Sequence, residues 1–352
     1  MYKNILASAL VNLGDVVLTT SALALIKKHF PDARITLMIK PVVRDAIENN
    51  PVVDNVLVLD YRPKHNSFLM MFEIVRELRR RDFDLFISFD RKLRPAIPAW
   101  LARIPTRIGP SKVFDDKPSR VTTLFTDVIA IDHDLDRTLQ AETYQTIVRK
   151  FFALDDHARP VFARITDQNR AEVDILFERL PKTRFKIALC VKGTFELKTW
   201  SKAYFAEVVR ALAAEYDATF FVIGAPNDRE YAEEVIAEIG LPIENFCGST
   251  SLVDLAEIFC RADLLISVDT GAAHIAATTS IPMVVMYGCT PLERWKPIND
   301  NAIALSSREP CCPCSIKPEQ CPSFPTPNCL QHVTPAQVLD ACRRLLDRSD
   351  AR

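Results

Sequence analysis

The sequence predicts an α/β protein in which two doubly wound, Rossmann-like domains follow one another along the chain. Short apolar runs alternate with helical patterns, which is typical of a parallel sheet covered by helices on both faces. The alternation restarts after a predicted linker at residues 155–160. The 352 residues also exceed one ordinary hydrophobic core. We therefore predict a first domain over residues 1–158 and a second over residues 159–333.

The first domain begins with an apolar run that predicts a buried strand, followed by an amphipathic helix that ends before Pro31. A later helix carries apolar residues at steps of three, namely Leu69, Phe72, Val75 and Leu78. The predicted strands are 5–10, 34–39, 53–59 and 85–89, and the predicted helices are 16–30, 43–49 and 68–81.

The second domain repeats this alternation. Its predicted strands are 186–191, 219–223, 264–268 and 283–287, and its predicted helices are 202–215, 227–239 and 252–260. Ser201 is placed to cap one helix, and Gly240 closes another. A final helix over 334–347 starts with Thr334, Pro335 and Gln337, which form a capping pattern.

The loop glycines indicate where a ligand would bind. Ligands of parallel sheets lie beyond the carboxyl ends of the strands. Six of the eight glycines follow a predicted strand or precede a helix, namely Gly14, Gly193, Gly224, Gly248, Gly271 and Gly288. Two sheets whose ligand edges face one cleft would explain this concentration, although ordinary turn use explains part of it.

The turn at residues 269–274 is the strongest local signal. Asp269, Thr270 and Gly271 separate a β-type run from small residues at helical spacing. The unpaired amides of a helix start attract a phosphate, and His274 lies on the same helix face as Thr270. The alternative is that Asp269 or Thr270 only caps the helix.

Other polar residues follow the remaining strands. Asp15 follows the first strand and is placed to accept a proton, or only to interact with the helix dipole. In the second domain, a glycine loop with Thr194 and Lys198 could hold a diphosphate, although the P-loop spacing is absent. Lys192 and Lys198 could equally be solvated loop charges. Asp228 could bind ribose hydroxyls or cap a helix.

Composition and charge restrict the partners. The net charge of −1 gives no indication of nucleic acid binding, and no apolar run approaches 18 residues. We reject a signal peptide at the start, because its apolar run is short. Basic residues nevertheless dominate residues 91–120, which indicates an anionic partner or simply a solvated face. The candidates for contact with this partner are Arg91, Lys92, Arg94 and Arg120.

A block of cysteines near the end of the chain is compatible with a metal. Four thiolates within a proline-rich loop, residues 311–329, would suit zinc or iron. The alternatives are a compact thiol-rich loop or an occasional disulfide. The candidate ligands are Cys311, Cys314, Cys321 and Cys329.

Several motifs together resemble glycosyltransferase family 9, the ADP-heptose:lipopolysaccharide heptosyltransferases. They occur in the family's order over nearly the whole chain, at residues 13–20, 107–109, 198–200, 224–226, 249–252, 268–274 and 287–290. The resemblance implies the GT-B fold, with two Rossmann-like domains facing a central cleft. It also implies a last helix, 334–347, that packs back on the first domain.

The resemblance further implies a bacterial enzyme that transfers a heptose or a related sugar from an ADP-sugar to a lipopolysaccharide core or similar glycan. The transfer inverts the anomeric configuration of the sugar. Asp15 matches the proposed general base, and no metal cofactor is required for the reaction. The positions that match the nucleotide and sugar contacts are Thr194, Lys198, Asp228, Thr250, Asp269, Thr270, Gly271 and His274. Gly193 replaces a threonine of some members, and Asp228 is shorter than the usual glutamate. Some relatives with a similar cysteine block modify autotransporter proteins and carry iron.

The resulting hypothesis is a cytoplasmic heptosyltransferase with an ADP-sugar donor and an anionic glycan acceptor. Contact with the inner membrane would be peripheral. Three alternatives remain, namely a sugar-nucleotide epimerase of the same fold, a protein heptosyltransferase, and a non-catalytic protein that binds nucleotide sugars. Release of ADP that depends on an added acceptor distinguishes a transferase from an epimerase and a binding protein.

Overall fold

The computed structural model describes residues 2–60, 67–307, 309, 311–314, 318–321 and 328–350. It divides the chain into two compact units, Met1–Arg164 and Ile165–Arg352. The division falls after Arg164, a few residues beyond the linker that the sequence predicts.

The first unit is built on a six-stranded parallel sheet with the strand order β3-β2-β1-β4-β5-β6. Its central strand is fully paired, with Ile5 opposite Ile35 on one side and Leu85 on the other. The strands are β1 (Asn4–Ser8), β2 (Arg34–Ile39), β3 (Asn55–Val58), β4 (Leu85–Ser88), β5 (Thr106–Pro110) and β6 (Asp127–Ile129). The helices are α1 (Leu13–His29), α2 (Ser67–Arg81), α3 (Leu93–Leu101) and α4 (Gln140–Phe152).

Helix α1 is buried around most of its circumference and packs against α4. Its buried hydroxyl groups donate hydrogen bonds to carbonyl groups of its own preceding turn, so that they need no partner elsewhere. These hydroxyls belong to Thr19, Thr20 and Ser21. This packing fixes the start of α1, where Asp15 lies.

The prediction of a helix over residues 43–49 is wrong. The chain forms only one 3₁₀ turn, Pro41–Val43, followed by further turns. Asn49 adopts a left-handed φ of 66°, and the proline at position 51 disfavours a helical conformation at Asn50. A segment this short cannot form a stable helix against these local preferences.

The second unit repeats the architecture with the strand order β12-β11-β10-β7-β8-β9. The strands are β7 (Phe185–Cys190), β8 (Ala218–Val222), β9 (Glu244–Asn245), β10 (Leu264–Val268), β11 (Met283–Tyr287) and β12 (Ala302–Ser306). The helices are α5 (Asp167–Phe177), α6 (Lys202–Glu215), α7 (Arg229–Ile239), α8 (Leu252–Arg261), α9 (Gly271–Ala276), α10 (Leu292–Trp295), α11 (Asn328–Gln331) and α12 (Pro335–Asp350).

The helix ends agree with the sequence at most positions. Gly240 ends α7 with a left-handed φ of 69°. Before α12, the amides of Thr334 and Gln337 are bonded reciprocally by each other's side chains. Ser201 precedes α6, but its side chain makes no capping hydrogen bond.

The last helix, α12, packs on the second unit, and the expectation that it also packs back on the first domain stays a prediction. Its apolar face, with Val338, Cys342 and Leu346, belongs to the core of the second sheet. Its polar side is tied to α6, since Arg343 forms a bidentate ion pair with Glu215. Because the apolar stripe of α12 is already covered in this way, the helix completes the second unit.

Both sheets have the same topological feature. The strand order reverses between β1 and β4 in the first sheet and between β7 and β10 in the second. In open α/β sheets, this switch point opens a crevice at the carboxyl ends of the strands, where ligands bind. The predicted pair of doubly wound parallel sheets is confirmed, and each sheet has one such crevice.

Candidate functional site

The first crevice contains Asp15, in the opening turn of α1. Its side chain is almost completely buried, and the hydroxyl of Tyr144 donates a 2.8 Å hydrogen bond to Asp15 Oδ1. Tyr144, on α4, is fully buried and packs edge-on against Phe89. The carboxylate is therefore held by a rigid ring as well as by its position at a helix start, where negative charge is favoured.

Asp90, a second buried carboxyl group, lies directly after β4. It accepts hydrogen bonds from the amides of Leu10, at 3.1 Å, and Lys92, at 3.0 Å. Burial raises the pKa of Asp90 to about 6, although the positive charges of Lys92 and Lys40 act in the opposite direction. The Lys92 ammonium also donates to the carbonyl of Leu10. Asp90 and Lys92 thus join the two loops that flank the switch point.

A cavity of about 1150 Å³ adjoins these residues. It combines an apolar lining with several basic side chains. Burial lowers the pKa of Lys40, as does the charge of Lys92, while Asp15 and Asp90 raise it. Lys40 therefore lies within electrostatic range of both carboxyl groups. All four predicted anion-binding residues line this cavity, namely Arg91, Lys92, Arg94 and Arg120.

The four basic residues are not equivalent. The Arg91 guanidinium donates to the carbonyls of Ser111, Lys117 and Asp115 and pairs with the Asp115 carboxylate. Its main task is therefore to hold the loop that forms one wall. Arg94 and Arg120 are exposed and line the cavity with positive charge.

The second crevice contains an ion pair between Lys198 and Asp269. Lys198 Nζ lies 2.7 Å from Asp269 Oδ2, and the two side chains are 19% and 8% exposed. The same ammonium lies 5.5 Å from the ring centre of Phe195. The pair joins the loop after β7 to the loop after β10, across the switch point of the second sheet.

His274 lies beside this pair and is uncharged at neutral pH. Burial lowers its pKa to about 4, and the charge of Lys198 contributes to the decrease while Asp269 opposes it. Its Nδ1 atom is buried and has no hydrogen-bond partner among the described residues. A neutral imidazole with an unused nitrogen can donate to or accept from a ligand in the crevice.

The loop that carries Lys198 requires a glycine. A Cβ atom on Gly193 would lie 2.4 Å from both the Cβ and the carbonyl oxygen of Lys198. Glycine therefore allows the loop to fold back closely enough for Lys198 to reach Asp269. Thr194 is exposed and lines a second cavity, of about 770 Å³, together with Lys192.

Two of the predicted nucleotide-binding residues, Thr270 and Asp228, lie near Cys190 at the end of β7. The hydroxyl of Thr270 lies 3.7 Å from Cys190 Sγ, and the charge of Asp228 acts on the same thiol. Thr270 precedes α9, which starts at Gly271, but its side chain makes no capping bond. One oxygen of Asp228 accepts a 2.9 Å hydrogen bond from the amide of Ala225. Thr250 lies farther along the chain, two residues before α8 starts.

The metal role of the four predicted thiolate ligands stays a prediction. Within the part of the chain that the structure describes, no group of three or more His, Cys, Asp or Glu side chains is arranged to hold a metal ion. Cys329 is buried against Leu197 and Cys289, Cys314 and Cys321 pack against this cluster, and Cys311 is exposed. Burial raises the pKa of Cys289 to about 11, which favours the protonated thiol. Residues 315–317 and 322–327 of the predicted loop lie outside the described residues.

Sequence reasoning missed Tyr144, Asp90 and Lys40. A signal existed for the last two, because each follows a predicted strand at its carboxyl end, as Asp15 and Asp269 do. Tyr144 gave no such signal. It lies in the interior of α4, and its partner is 129 residues away.

Among the described helices, none combines the length and the apolar character that crossing a lipid bilayer demands.

Comparison with known proteins identifies the family. The model of glycosyltransferase family 9 (heptosyltransferase) matches residues 71–323. A putative glycosyltransferase of Haemophilus influenzae is 27% identical over 301 residues, covering 82% of this chain and 84% of the relative. Lipopolysaccharide heptosyltransferase 3 of Escherichia coli is 22% identical, with the same coverage. The structure of Escherichia coli ADP-heptose lps heptosyltransferase II superimposes with a TM-score of 0.79 at 19% identity, covering 99% of both chains. The chain belongs to glycosyltransferase family 9, the heptosyltransferases.

Proposed function

We propose that this chain transfers heptose from an ADP-sugar to a lipopolysaccharide core or a similar anionic glycan, with inversion of the anomeric configuration. The main support is the Lys198–Asp269 ion pair beside a neutral His274, at the switch point of the second sheet. A departing nucleoside diphosphate develops negative charge, and a fixed ammonium group stabilises that charge. Thr270, Gly271, Asp228, Thr250 and Thr194 complete the proposed donor site.

In the proposed mechanism, Asp15 is the general base. It would accept the proton of the acceptor hydroxyl as the glycosidic bond forms. The Tyr144 hydroxyl donates to Oδ1 of this carboxylate and helps to orient it. The cavity beside Lys40 suits an anionic acceptor, because Arg94 and Arg120 line it with positive charge.

A metal cofactor has no role in these steps. The candidate charge-stabilising groups are supplied by the chain itself, through Lys198 and the loop after β10. None of the proposed steps is assigned to the cysteine-rich loop. We place the reaction in the cytoplasm with the ADP-sugar donor, and the enzyme in peripheral contact with the inner membrane that anchors the acceptor.

The decisive assay is release of ADP from ADP-heptose with and without a deacylated lipopolysaccharide acceptor. Asp15→Asn should retain donor affinity and lose nearly all transfer, while Asp45→Asn, at an exposed position, should behave like the wild type. Undiminished turnover of Asp15→Asn would remove Asp15 from the mechanism. Consumption of the ADP-sugar without any acceptor would indicate an epimerase. Transfer of the sugar to a polypeptide would indicate a protein heptosyltransferase.

Lys198→Ala tests the donor site. A hydrogen bond to a charged group contributes about 1.5–3 kcal/mol, so donor affinity should fall roughly tenfold to a hundredfold. Lys202→Ala is the matched control, because Lys202 lies nearby but pairs with Glu234. Calorimetry that finds equal ADP affinity in both variants would contradict the assignment of Lys198.

A further inference from the structure

Large apolar side chains are exposed on two neighbouring helices of the first unit. Phe72 of α2 is 62% exposed and Trp100 of α3 is 49% exposed. Leu69, Leu93 and Leu101 are exposed as well. The two helices pack against each other, and Arg79 donates a 2.8 Å hydrogen bond to the carbonyl of Leu101. We call this surface the α2–α3 outer face, and it comprises Leu69, Phe72, Arg76, Arg79, Leu93, Ile97, Trp100 and Leu101.

The α2–α3 outer face is separate from the hydrophobic core. Both helices have a second apolar face that packs on the first sheet, with Ile74 and Leu78 from α2 and Ala96 and Ala99 from α3. The outward residues of α3 recur at helical spacing, at positions 93, 97, 100 and 101. Each helix is therefore apolar on two sides. Exposed clusters of this kind commonly mark an interaction site.

Arginines surround these apolar side chains. Arg76 and Arg79 continue the exposed stripe of α2, and Arg80 lies beside them. The acidic residues on this helix are Glu73 and Glu77. Hydrogen bonds from Arg80 and Arg81 lower the pKa of Glu77 to about 2, so its charge is compensated by these two partners. Further positive charge comes from Arg94 and Arg103 at the two ends of α3.

We propose that the α2–α3 outer face docks on an anionic lipid bilayer. Trp, Phe and Leu side chains insert into the boundary between headgroups and acyl chains, while arginines attract the phosphates of the headgroups. A second copy of the chain fits this surface less well. Packing two such faces together would bring the arginines of both copies close to one another, and like charges oppose such an interface.

The α2–α3 outer face adjoins the cavity that we propose for the acceptor. Leu93 and Arg94 belong to α3 and also line the cavity of about 1150 Å³. An acceptor anchored in the bilayer would therefore reach the cavity from its edge. This link rests on the proposed function, whereas binding to lipid does not.

The test is co-sedimentation of the full-length protein with vesicles of phosphatidylcholine, alone or mixed with phosphatidylglycerol. We expect binding to the anionic vesicles that weakens at high salt. Phe72→Ser combined with Trp100→Ser should reduce the partition coefficient at least tenfold. Arg76→Ala should reduce it about fivefold, the effect of one basic residue near such a surface. The matched control is Ile175→Ser combined with Val128→Ser, because both side chains are exposed elsewhere, and it should bind like the wild type.

Three results would overturn the proposal. The first is a wild-type protein that does not bind anionic vesicles, and the second is a Phe72→Ser/Trp100→Ser variant that binds as well as the wild type. The third is a dimer in sedimentation equilibrium that this variant converts to a monomer, which would assign the face to a second copy. Transfer to a short, water-soluble acceptor should remain unchanged in the variant. The failure of lipid docking is thereby distinguished from a failure of the proposed function.

Discussion

Replacement of Tyr144 by phenylalanine tests how Asp15 is positioned. The change removes one hydroxyl from a fully buried ring and leaves the contact with Phe89 in place. The lost hydrogen bond ends on a nearly buried carboxylate, so the free energy of unfolding should fall by about 1.5–3 kcal/mol. Without this bond, the Asp15 carboxylate loses a contact that orients it and can be displaced. A displacement of this kind lowers turnover by up to about a hundredfold.

The assay measures kcat for transfer, donor affinity and the urea denaturation midpoint of the same preparations. We expect a lower kcat with unchanged ADP affinity, because Tyr144 belongs to the first unit and the proposed donor site to the second. Tyr216→Phe is the matched control. Its hydroxyl also donates to an aspartate, Asp347, at 2.9 Å, but at the surface. A Tyr144→Phe variant that is less stable but turns over within twofold of the wild type would refute the positioning role.

Three further predictions concern the residues at the two switch points. Gly193→Thr should lower ADP affinity in calorimetry, because its Cβ would collide with Lys198, while Gly240→Ala should cost only about 1 kcal/mol of stability. The Asp90 carboxyl group should lower the free energy of unfolding by about 3 kcal/mol in total as the pH rises from about 4 to about 6. Because burial raises its pKa, the native state binds more protons than the unfolded chain in this pH range. The Asp90→Asn variant should lack this pH-dependent loss when the free energy of unfolding is measured by urea denaturation at pH 4.5 and pH 7. An equal change in the free energy of unfolding between the two pH values for both proteins would contradict the prediction. Lys198→Met should raise the pKa of His274 in NMR titrations, because the ammonium charge lowers it, and a lower value would contradict this arrangement.

The sequence could predict the parts of the site that are local. The strand, turn and helix at residues 264–276 lie together in the chain, and their chemistry follows from their order. The ion pair between Lys198 and Asp269 is not local, because it joins two loops that the switch point brings together. The partnership of Asp15 with Tyr144 depends on the packing of α1 on α4, for which no short-range pattern exists. The neutral state of His274 depends on burial, which a sequence does not state.

Helix α2 shows why apolar spacing alone did not identify the exposed face. Its apolar residues Leu69, Phe72, Val75 and Leu78 recur at steps of three. In an α-helix, each such step falls short of a full turn by about 60°. Over three steps, the stripe therefore moves to the opposite side of the helix. Val75 and Leu78 consequently lie in the interior, whereas Leu69 and Phe72 are exposed.

The two crevices differ in the arrangement of their charged side chains, and this difference supports the proposed roles of the two units. In the second, an ammonium group is paired with one carboxylate, and the neighbouring histidine stays neutral, so an arriving diphosphate can replace Asp269 as the partner of Lys198. In the first, the carboxyl groups of Asp15 and Asp90 are buried while the basic side chains line an open cavity. Such a site can hold an anionic acceptor by its rim and still present a base to its hydroxyl. In the proposed mechanism, the same topology thus provides a site for the leaving group in one unit and a site for the nucleophile in the other.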